Sequence, residues 1–557
     1  MRTANARVAP RPVNEKAHFA RPLALSVLLL LAAGRPAAPA PLPLPPEEQE
    51  QVNRAIERGV AFLKATQGRR GTWAASGASH QVGYAALPGL TLLECGVSPK
   101  DPVIQRTAAA IGRTAGQLDA TYEISLAILF LDRLGDPKYK PVIEHLAARL
   151  IASQAPTGGW GYKCLPVSKA KGQQILVLLR KLSPPPAPDQ PLLGLGPVGP
   201  QPPGPALGPG VARRQDGPPQ GGVAAPTPND PLRGGTTSSL GSSPGSSQQS
   251  ASAALPGERG QAPQPLFPSS RWARCVKSDM HPSEGAPLAP ELRAAAPRGA
   301  PRPPAAKVVI PPSLRGLTVF QPPDWLGLLD PPDSRERPLL PTTDNSNSQF
   351  AILALWAAQR HGVPMERTLR RVALRYEASQ NADGSWGYDY RRGGAVPERP
   401  SMTCVGLLGL AVGHGFDQAA AGRAAQDPRI LAGFVALSKN VGAPAGRTQG
   451  LPMANLYFLW SVERVAVLYD LQTIGGKDWY RWGAEILVAN QGPHGNWADG
   501  GYHGASPVLD TSLALLFLKR ANLAADLTRK LPFDPGALDD SIIGKLAQEN
   551  RAKETKP

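Results

Sequence analysis

Acidic side chains and one histidine are the residues of this chain best suited to acid–base chemistry. They are Asp119, Glu123, Asp344, Glu463, Asp499, His503 and Asp510. Two carboxyl groups that face each other can act as general acid and general base in the hydrolysis of glycosidic bonds. A carboxylate at the start of a helix can instead cap its free N–H groups, and the positions of Asp344 and Asp510 favour this role. We therefore keep Asp119, Asp344, Asp510, Glu463 and His503 as candidate catalytic residues, with capping as the alternative.

Glu463 and His503 differ in their sequence surroundings. Glu463 lies in Ser461-Val-Glu-Arg464, inside an apolar segment, where a charge is costly unless it is paired. We expect a pair with Arg464 or with a cation of a neighbouring helix, and the alternative is a ligand group that faces a cavity. His503 lies in Gly501-Tyr-His-Gly504, which predicts a loop, where it would act in catalysis or remain solvated.

The cysteines do not form a metal site. Cys95, Cys164, Cys275 and Cys404 are far apart and include no C-x-x-C pair or other metal-ligand spacing. Only Cys164 and Cys275 are candidates for a disulfide, because each borders or lies in a long proline-rich insertion. The sequence therefore predicts neither a metal nor a cofactor.

A repeated motif, Q-x-x-x-G-x-W, occurs four times and must be positioned by regular elements. The copies are Gln67, Gly71 and Trp73; Gln154, Gly158 and Trp160; Gln380, Gly384 and Trp386; and Gln491, Gly495 and Trp497. Each copy closes a segment of helical periodicity, and the glycine provides a stop and a turn. Four copies in one chain predict repeated helical units.

Two kinds of helix alternate along the chain. Six segments are apolar almost all round, as buried helices are: His80–Cys95, Asp119–Leu134, Asp344–His361, Ser401–Gly413, Met453–Leu471 and Pro507–Lys519. Segments such as Asp101–Arg113 and Met365–Ser379 have the one-sided apolar stripe of an outer layer. The motif spacings, with the insertion set aside, correspond to hairpins of about fifty residues. The sequence thus predicts an all-α fold of six helical hairpins.

The four motifs resemble the QW motifs of squalene and oxidosqualene cyclases, and the alternating helices resemble the toroids of those cyclases and of protein prenyltransferase β-subunits. The resemblance covers everything except the leader, the insertion and the tail. It implies an (α/α)6 toroid whose central cavity holds an isoprenoid chain in the relatives. QW motifs are structural in that family, so they indicate the fold and not the chemistry.

The chain lacks the family's two known catalytic motifs. Class II cyclases carry Asp-x-Asp-Asp-Thr, whereas this chain has Val508-Leu509-Asp510-Thr511, and Leu509 cannot donate a proton. Prenyltransferases bind zinc through an Asp, a Cys two residues later and a distant His; here Asp344 is followed by Ser346, and no His occupies the later site. Neither protonative cyclisation nor zinc binding is expected, unless Asp119, Glu123 or Asp344 replaces the missing acid.

The N-terminus has the pattern of an export signal. Basic residues precede the apolar run Leu23–Ala33, and small residues follow at Ala37, Ala38 and Ala40. We expect residues 1–40 to be a signal peptide or an N-terminal membrane anchor, which would make the protein periplasmic, secreted or membrane-attached. The net charge of +17 is partly concentrated in this leader, and no basic run with interleaved aromatics follows, so nucleic-acid binding is not expected.

A long insertion divides the helical part. From residue 184 to 205 ten of twenty-two residues are proline, and a Gly/Ser/Gln tract covers 236–252. Such segments cannot bury enough apolar surface to order themselves. The sequence predicts folded parts at 47–165 and 341–532, a disordered insertion at 166–340 and a tail at 533–557. Within the insertion, Gln173–Leu182 could form a short helix, and Val308–Leu329 could dock on the folded part.

Three functions remain open from the sequence. The first is binding of an apolar or isoprenoid-like ligand, or of a peptide, in the central cavity. The second is a divergent terpene cyclase or prenyltransferase, and the third is an extracytoplasmic polysaccharide hydrolase or lyase. The lining of the cavity should discriminate among them.

Overall fold

The computed structural model describes residues 44–74, 80–182, 308–322, 343–416, 424–442 and 455–531. All of them belong to one compact unit. The predicted leader, the predicted tail and most of the predicted insertion lie outside the described residues.

The described residues are mainly helical, and the prediction of an all-α fold is confirmed. The helices are α1 (Pro46–Thr66), α2 (Gly83–Glu94), α3 (Pro102–Thr114), α4 (Thr121–Leu134), α5 (Lys140–Ser153), α6 (Lys169–Leu182), α7 (Pro312–Arg315), α8 (Asn345–Ala358), α9 (Glu366–Ala378), α10 (Pro400–Phe416), α11 (Pro428–Ser438), α12 (Leu456–Leu468), α13 (Trp479–Ala489), α14 (Pro507–Lys519) and α15 (Ala525–Thr528). Two short antiparallel strands, β1 (Thr473–Ile474) and β2 (Lys477–Asp478), pair Thr473 with Asp478 and Ile474 with Lys477.

Six helices, which we call the buried helices, pack against one another in a closed order. They are α2, α4, α8, α10, α12 and α14; each contacts the next, and α14 contacts α2. Each corresponds to one of the six apolar segments of the sequence. Every residue of α8 is buried, and so are Asp510 to Leu518 of α14, which explains why these segments have no polar face.

The other six long helices of the motif-bearing repeats flank the buried ones. These flanking helices are α1, α3, α5, α9, α11 and α13, and each packs on one or more buried helices. Only one face of α1 is fully buried, through Val52, Ala55, Gly59 and Leu63 at spacings of three and four residues. The one-sided stripe predicted for Asp101–Arg113 is observed in α3, whose buried residues are Val103, Ile104, Thr107, Ala108 and Ile111.

Short polar side chains mark the starts of several helices. Asp344 caps α8, Asn455 caps α12 and Ser506 caps α14, each accepting a hydrogen bond from a backbone N–H three residues later. Asp101 and Asp427 cap the flanking helices α3 and α11 by accepting from the N–H two residues later, with a proline in between. Proline suits that position because its missing N–H would have no partner there.

Each Q-x-x-x-G-x-W motif links consecutive flanking helices. The glutamine Nε2 donates to a backbone carbonyl of another flanking helix, in the pairs Gln67–Val103, Gln154–Thr368, Gln380–Arg429 and Gln491–Ala55, at 2.8 to 2.9 Å. The indole N–H donates to the carbonyl ten residues earlier, in the pairs Trp73–Leu63, Trp160–Leu150, Trp386–Tyr376 and Trp497–Leu487. The last motif therefore holds α1, the first helix.

The motif glycine is required by close packing in all four copies. Gly384 has φ +88°, a conformation that side chains disfavour, and a Cβ there would collide with the carbonyl of Ala432 in α11. The other three glycines have the same left-handed backbone, and a Cβ on each would meet a carbonyl in the same way: Gly71 at Arg106 of α3, Gly158 at Arg371 of α9 and Gly495 at Arg58 of α1. Beyond the stop and turn that the sequence predicts, glycine therefore lets each turn touch the backbone of the next flanking helix.

The folded part extends beyond residue 165, where the sequence analysis ended it. Helix α6 covers the segment expected to form a short helix, and Ile175, Leu176 and Leu179 are buried against the rest of the fold. Residues 308–322 also dock, because Leu314 and Val319 are fully buried and Arg367 donates to the carbonyl of Val319 at 3.0 Å. Enough apolar side chains are present in both segments to offset the entropy of ordering them.

Candidate functional site

The N-terminal ends of the buried helices carry a group of tyrosines that we call the tyrosine cluster. It consists of Tyr122, Tyr162, Tyr388, Tyr457 and Tyr502. Tyr122 and Tyr457 lie in the first turns of α4 and α12, and the others lie in loops beside helix starts. The ring centroids of Tyr122 and Tyr162 are 6.3 Å apart, those of Tyr457 and Tyr502 are 6.0 Å apart, and the hydroxyls of Tyr162 and Tyr388 are 2.9 Å apart.

The loops that follow the tryptophans position three of these tyrosines. The carbonyl of Tyr162 accepts from the N–H of Thr121 at the start of α4, and the carbonyl of Tyr388 accepts from the N–H of Asn345 at the start of α8. Tyr502 follows Gly500, whose carbonyl accepts from the N–H of Leu456 at the start of α12. The motifs therefore place tyrosine side chains beside the buried helices.

A chain of hydrogen bonds runs from the cluster into the centre of the fold. Tyr122 Oη donates to Ser346 Oγ at 2.7 Å, and Ser346 Oγ lies 2.6 Å from Tyr457 Oη. Tyr457 also accepts from Gln349 Nε2, and Gln349 Oε1 accepts from Arg464 Nη1. Burial raises the pKa of Tyr122 and of Tyr457, so that both hydroxyls keep their protons at neutral pH.

Aromatic side chains fill the space beneath the cluster. Phe350 packs edge-on against Tyr122 at 5.0 Å and stacks on Trp460 at 5.3 Å, and the Arg464 guanidinium lies 4.7 Å from the Trp460 ring centroid. Phe350 and Trp460 are buried. The tyrosine cluster is thus a surface backed by packed side chains.

Two of the candidate acids, Asp119 and Asp344, have structural partners. Asp119 is largely exposed and forms an ion pair with Lys163 Nζ at 2.7 Å, which lowers the pKa of the carboxyl. Asp344 is buried, and its carboxylate accepts from the backbone N–H of Asn347 at 2.6 Å and from Asn347 Nδ2 at 2.8 Å. Burial raises the pKa of Asp344 despite these bonds. The structure places Asp344 in the capping role.

Asp510 and its surroundings connect the last loop to α14. Asp510 is fully buried in the first turns of α14, and its Oδ2 accepts from the N–H of Gly500 at 3.1 Å. Burial raises the pKa of Asp510, and the influence of Tyr502, which lowers it, is smaller. Asp499 and His503 are exposed on the same loop. Of the candidate catalytic residues, Asp344 and Asp510 lie at the starts of α8 and α14 beside the tyrosine cluster, and His503 directly follows Tyr502.

Glu463 does not pair with Arg464. Adjacent residues of a helix point to different sides, and the Arg464 guanidinium is directed to Gln349 and Trp460. Glu463 is fully buried, and within the described residues its carboxyl has no side-chain hydrogen-bond partner. Burial raises its pKa well above the usual range, so the neutral acid is favoured. The expected ion pair of Glu463 is not found among the described residues.

Glu123 acts at the start of α2. Its Oε1 accepts from the backbone N–H groups of Val82 at 3.0 Å and Gly83 at 3.3 Å, and its Oε2 lies 3.4 Å from His80 Nδ1. A carboxylate at this position satisfies N–H groups that lack a partner within the helix. Glu123 therefore has a capping role that the sequence analysis did not assign to it.

The opposite ends of the buried helices border a cavity of about 190 Å³. Its wall contains Arg360, which bonds Asp132 through Nε at 3.1 Å and Asp526 through Nη1 at 3.0 Å. His361 Nε2 lies 2.9 Å from the same Asp132. Burial by itself raises the pKa of Asp132, but the hydrogen bonds with His361 and Arg360 outweigh burial and lower that pKa. The charges of this wall are largely paired with one another.

The described part of the chain contains neither a metal-ligand cluster nor a helix suited to span a membrane. In the described ranges no group of three His, Cys, Asp or Glu side chains is arranged to hold a metal ion. Cys164 is buried against Thr121, and Cys275 lies outside the described residues, so their disulfide stays a prediction. None of the described helices is both long and apolar enough to cross a membrane.

Comparisons with family models, with curated proteins and with solved structures find no match to this chain.

Sequence analysis missed the tyrosine cluster and the chain that ends at Arg464. A signal was present, because Trp160-Gly161-Tyr162 and Trp386-Gly387-Tyr388 place a tyrosine two residues after a motif tryptophan. The contacts of Gln349 with Tyr457 and Arg464 join residues more than 100 positions apart and have no counterpart in local sequence.

Proposed function

We propose that the described helices form an α/α toroid of the kind found in squalene cyclases and protein prenyltransferases. The closed packing order of the six buried helices supports this proposal, as does the bond from the last motif to α1. The repeated Gln and Trp hydrogen bonds support it further, since they give the motifs the structural role they have in the resembling family. We further propose that the protein is exported, on the basis of the leader pattern in residues 1–40.

We propose that this toroid is a binding protein whose tyrosine cluster holds an extended peptide. The observation that carries the proposal is the cluster itself: at the ends of the buried helices, tyrosine rings are partly exposed while several of their hydroxyls are fixed by hydrogen bonds. Tyrosine rings supply rigid contact area, and their hydroxyls bond to peptide groups. Aromatic grooves of this type suit proline-containing segments, which lose little entropy on binding.

A peptide fits this surface better than an isoprenoid chain does. A hydrocarbon would cover the tyrosine hydroxyls without offering them a hydrogen bond, which is unfavourable for polar groups removed from water. The centre of the buried helices below the cluster also contains Phe350, Trp460, Gln349 and Arg464, whose packing occupies the place of a long chain.

Selection from a displayed library of random dodecapeptides tests this function. We expect enrichment of peptides that bind the wild-type protein and lose affinity at least tenfold in the double variant Tyr122→Ala/Tyr457→Ala, since each bound aromatic contact contributes about 1 kcal/mol or more. Tyr139→Ala is the matched control, because Tyr139 is a partly exposed tyrosine at the start of the flanking helix α5.

Two outcomes would contradict the peptide proposal. One is a selection that enriches no sequence. The other is a set of enriched peptides that bind the double variant as tightly as the wild type, which would place their site elsewhere on the protein.

A further inference from the structure

The hydrogen-bond chain has a fixed direction from Arg464 through Gln349 to Tyr457. A guanidinium can donate hydrogen bonds and cannot accept them, so the side-chain oxygen of Gln349 must face Arg464. The amide nitrogen of Gln349 then faces Tyr457 and donates to its oxygen. The Tyr457 hydroxyl hydrogen is consequently free to donate to Ser346 Oγ, which lies 2.6 Å away.

Ser346 receives a second hydrogen bond from the opposite side. The Tyr122 hydroxyl donates to Ser346 Oγ at 2.7 Å. A serine oxygen has two lone pairs and one hydrogen. When Tyr457 also donates, both lone pairs of Ser346 accept from tyrosines, and no further acceptor for the serine hydrogen is found in the described part of the chain.

We propose that the hydroxyl of Ser346 is the hydrogen-bond donor that recognises a backbone carbonyl of the bound peptide. The inference rests on the peptide-binding function proposed above and adds its specificity-determining group. Ser346 lies at the first turn of α8 between two cluster tyrosines and retains 6% of its surface exposed. The buried Arg464, 5% exposed and held on Trp460, cannot lose its donor character and so keeps the direction of the chain.

Gln349→Glu tests the direction of the chain without changing its shape. The introduced carboxylate accepts hydrogen bonds from both Arg464 and Tyr457. The hydrogen of the Tyr457 hydroxyl then points to this carboxylate, and the Tyr457 oxygen accepts a hydrogen bond from Ser346. The Ser346 hydrogen is then occupied, and we expect the selected peptides to bind about tenfold more weakly, the effect of one lost hydrogen bond with an unsatisfied carbonyl. The melting temperature should be unchanged or higher because Arg464 gains a charged partner.

Ser346→Ala should weaken the binding of the same peptides by at least as much, and Ser512→Ala is its control. Ser512 is a buried serine of α14 whose hydroxyl donates within its own helix, to the carbonyl of Val508 at 2.8 Å. Peptides that bind the wild type and bind Gln349→Glu and Ser346→Ala equally well would overturn the role of Ser346 and leave peptide binding intact.

Neutron diffraction of the deuterated full chain tests the inference when no peptide is present. We expect the Tyr457 hydroxyl deuterium on the line to Ser346 Oγ, and the Ser346 deuterium directed away from both tyrosines. A Ser346 deuterium on the line to either tyrosine oxygen would overturn the proposal, whether or not peptides bind.

Discussion

Buried acids in this protein are used for structure. Asp344 caps α8, Glu123 accepts from N–H groups at the start of α2, and Asp510 holds the loop at Gly500. In each case the carboxyl oxygens accept hydrogen bonds from backbone N–H groups that would otherwise lack a partner at a helix end or in a loop. Since catalysis needs an acid free to transfer its proton, these contacts reduce the capacity of the three residues to act on a substrate.

The purified protein is therefore expected not to cyclise squalene. Leu509, a hydrocarbon, stands where the resemblance to cyclases would place the proton donor, and Asp119, the remaining candidate at a helix start, is paired with Lys163. Incubation with squalene and gas chromatography of the extract should show no polycyclic product. A product that disappears in Asp119→Asn, Asp344→Asn or Asp510→Asn would contradict this expectation and identify the acid.

Glu463 should make stability fall as the pH rises. Its folded-state pKa is raised by burial above the unfolded value of about 4.3, so the folded state binds the proton more tightly. The stability of the wild type should decrease by about 1.4 kcal/mol per pH unit between the unfolded and the folded pKa. The Glu463→Gln variant lacks this titrating carboxyl. The amount by which its free energy of unfolding exceeds that of the wild type should be absent below pH ~4 and grow above that pH.

Urea unfolding of both proteins between pH 3 and 8 measures this difference. Glu57→Gln, at an exposed position of α1, controls for the removal of one carboxyl group from the chain. A difference between wild type and Glu463→Gln that does not vary with pH would show that Glu463 is not a neutral buried acid.

Helices and motifs could be predicted from the sequence because their signals are local. Apolar residues on all sides of Leu513–Leu518 predicted a buried helix, and the spacing of Gln, Gly and Trp predicted turns that join helices. The tyrosine cluster was not predicted, because it depends on contacts between residues far apart in the sequence. The partners of Ser346 and Gln349 come from two other helices, α4 and α12, and such contacts depend on packing rather than on neighbouring residues.

The motif tryptophans should carry a large share of the stability of their helical hairpins. Trp497 is fully buried, donates to the carbonyl of Leu487 and packs beside Gly59 of α1. Trp497→Ala should lower the free energy of unfolding by about 3 to 5 kcal/mol, as should Trp386→Ala. Trp482→Ala is the control, since Trp482 lies on α13 and is only partly buried, so a clearly smaller loss is expected. Losses below about 1 kcal/mol at both motif sites would contradict the structural role.

At the scale of the molecule, the two segments on either side of the insertion depend on each other. Helix α4 packs on α8, Gln154 of the second motif bonds to Thr368 of α9, and Tyr122 bonds to Ser346, all across the insertion. Neither segment can bury the apolar faces of its helices alone. The insertion joins them in sequence, while the contacts that hold them together are made elsewhere.

Fragments covering residues 44–182 and 308–531 should therefore associate when they are expressed together. We expect a one-to-one complex with the helical circular dichroism of the full chain, and poor solubility of either fragment expressed alone. Size-exclusion chromatography with light scattering distinguishes the outcomes. Two fragments that fold separately and do not bind each other would show that the six buried helices do not form a single unit.

The bond between Gln491 and Ala55 joins residues 436 positions apart. It can form only after nearly all of the described helices have been synthesised. Helix α1 leaves the ribosome early, but its apolar face is covered by α13 and α14, which are made last. At about 5 to 20 residues per second, that face remains uncovered for roughly 20 to 90 s. During this interval the growing chain is a client for chaperones, and a truncated product that ends before α13 would present Val52, Ala55 and Leu63 to the proteases that remove incomplete proteins.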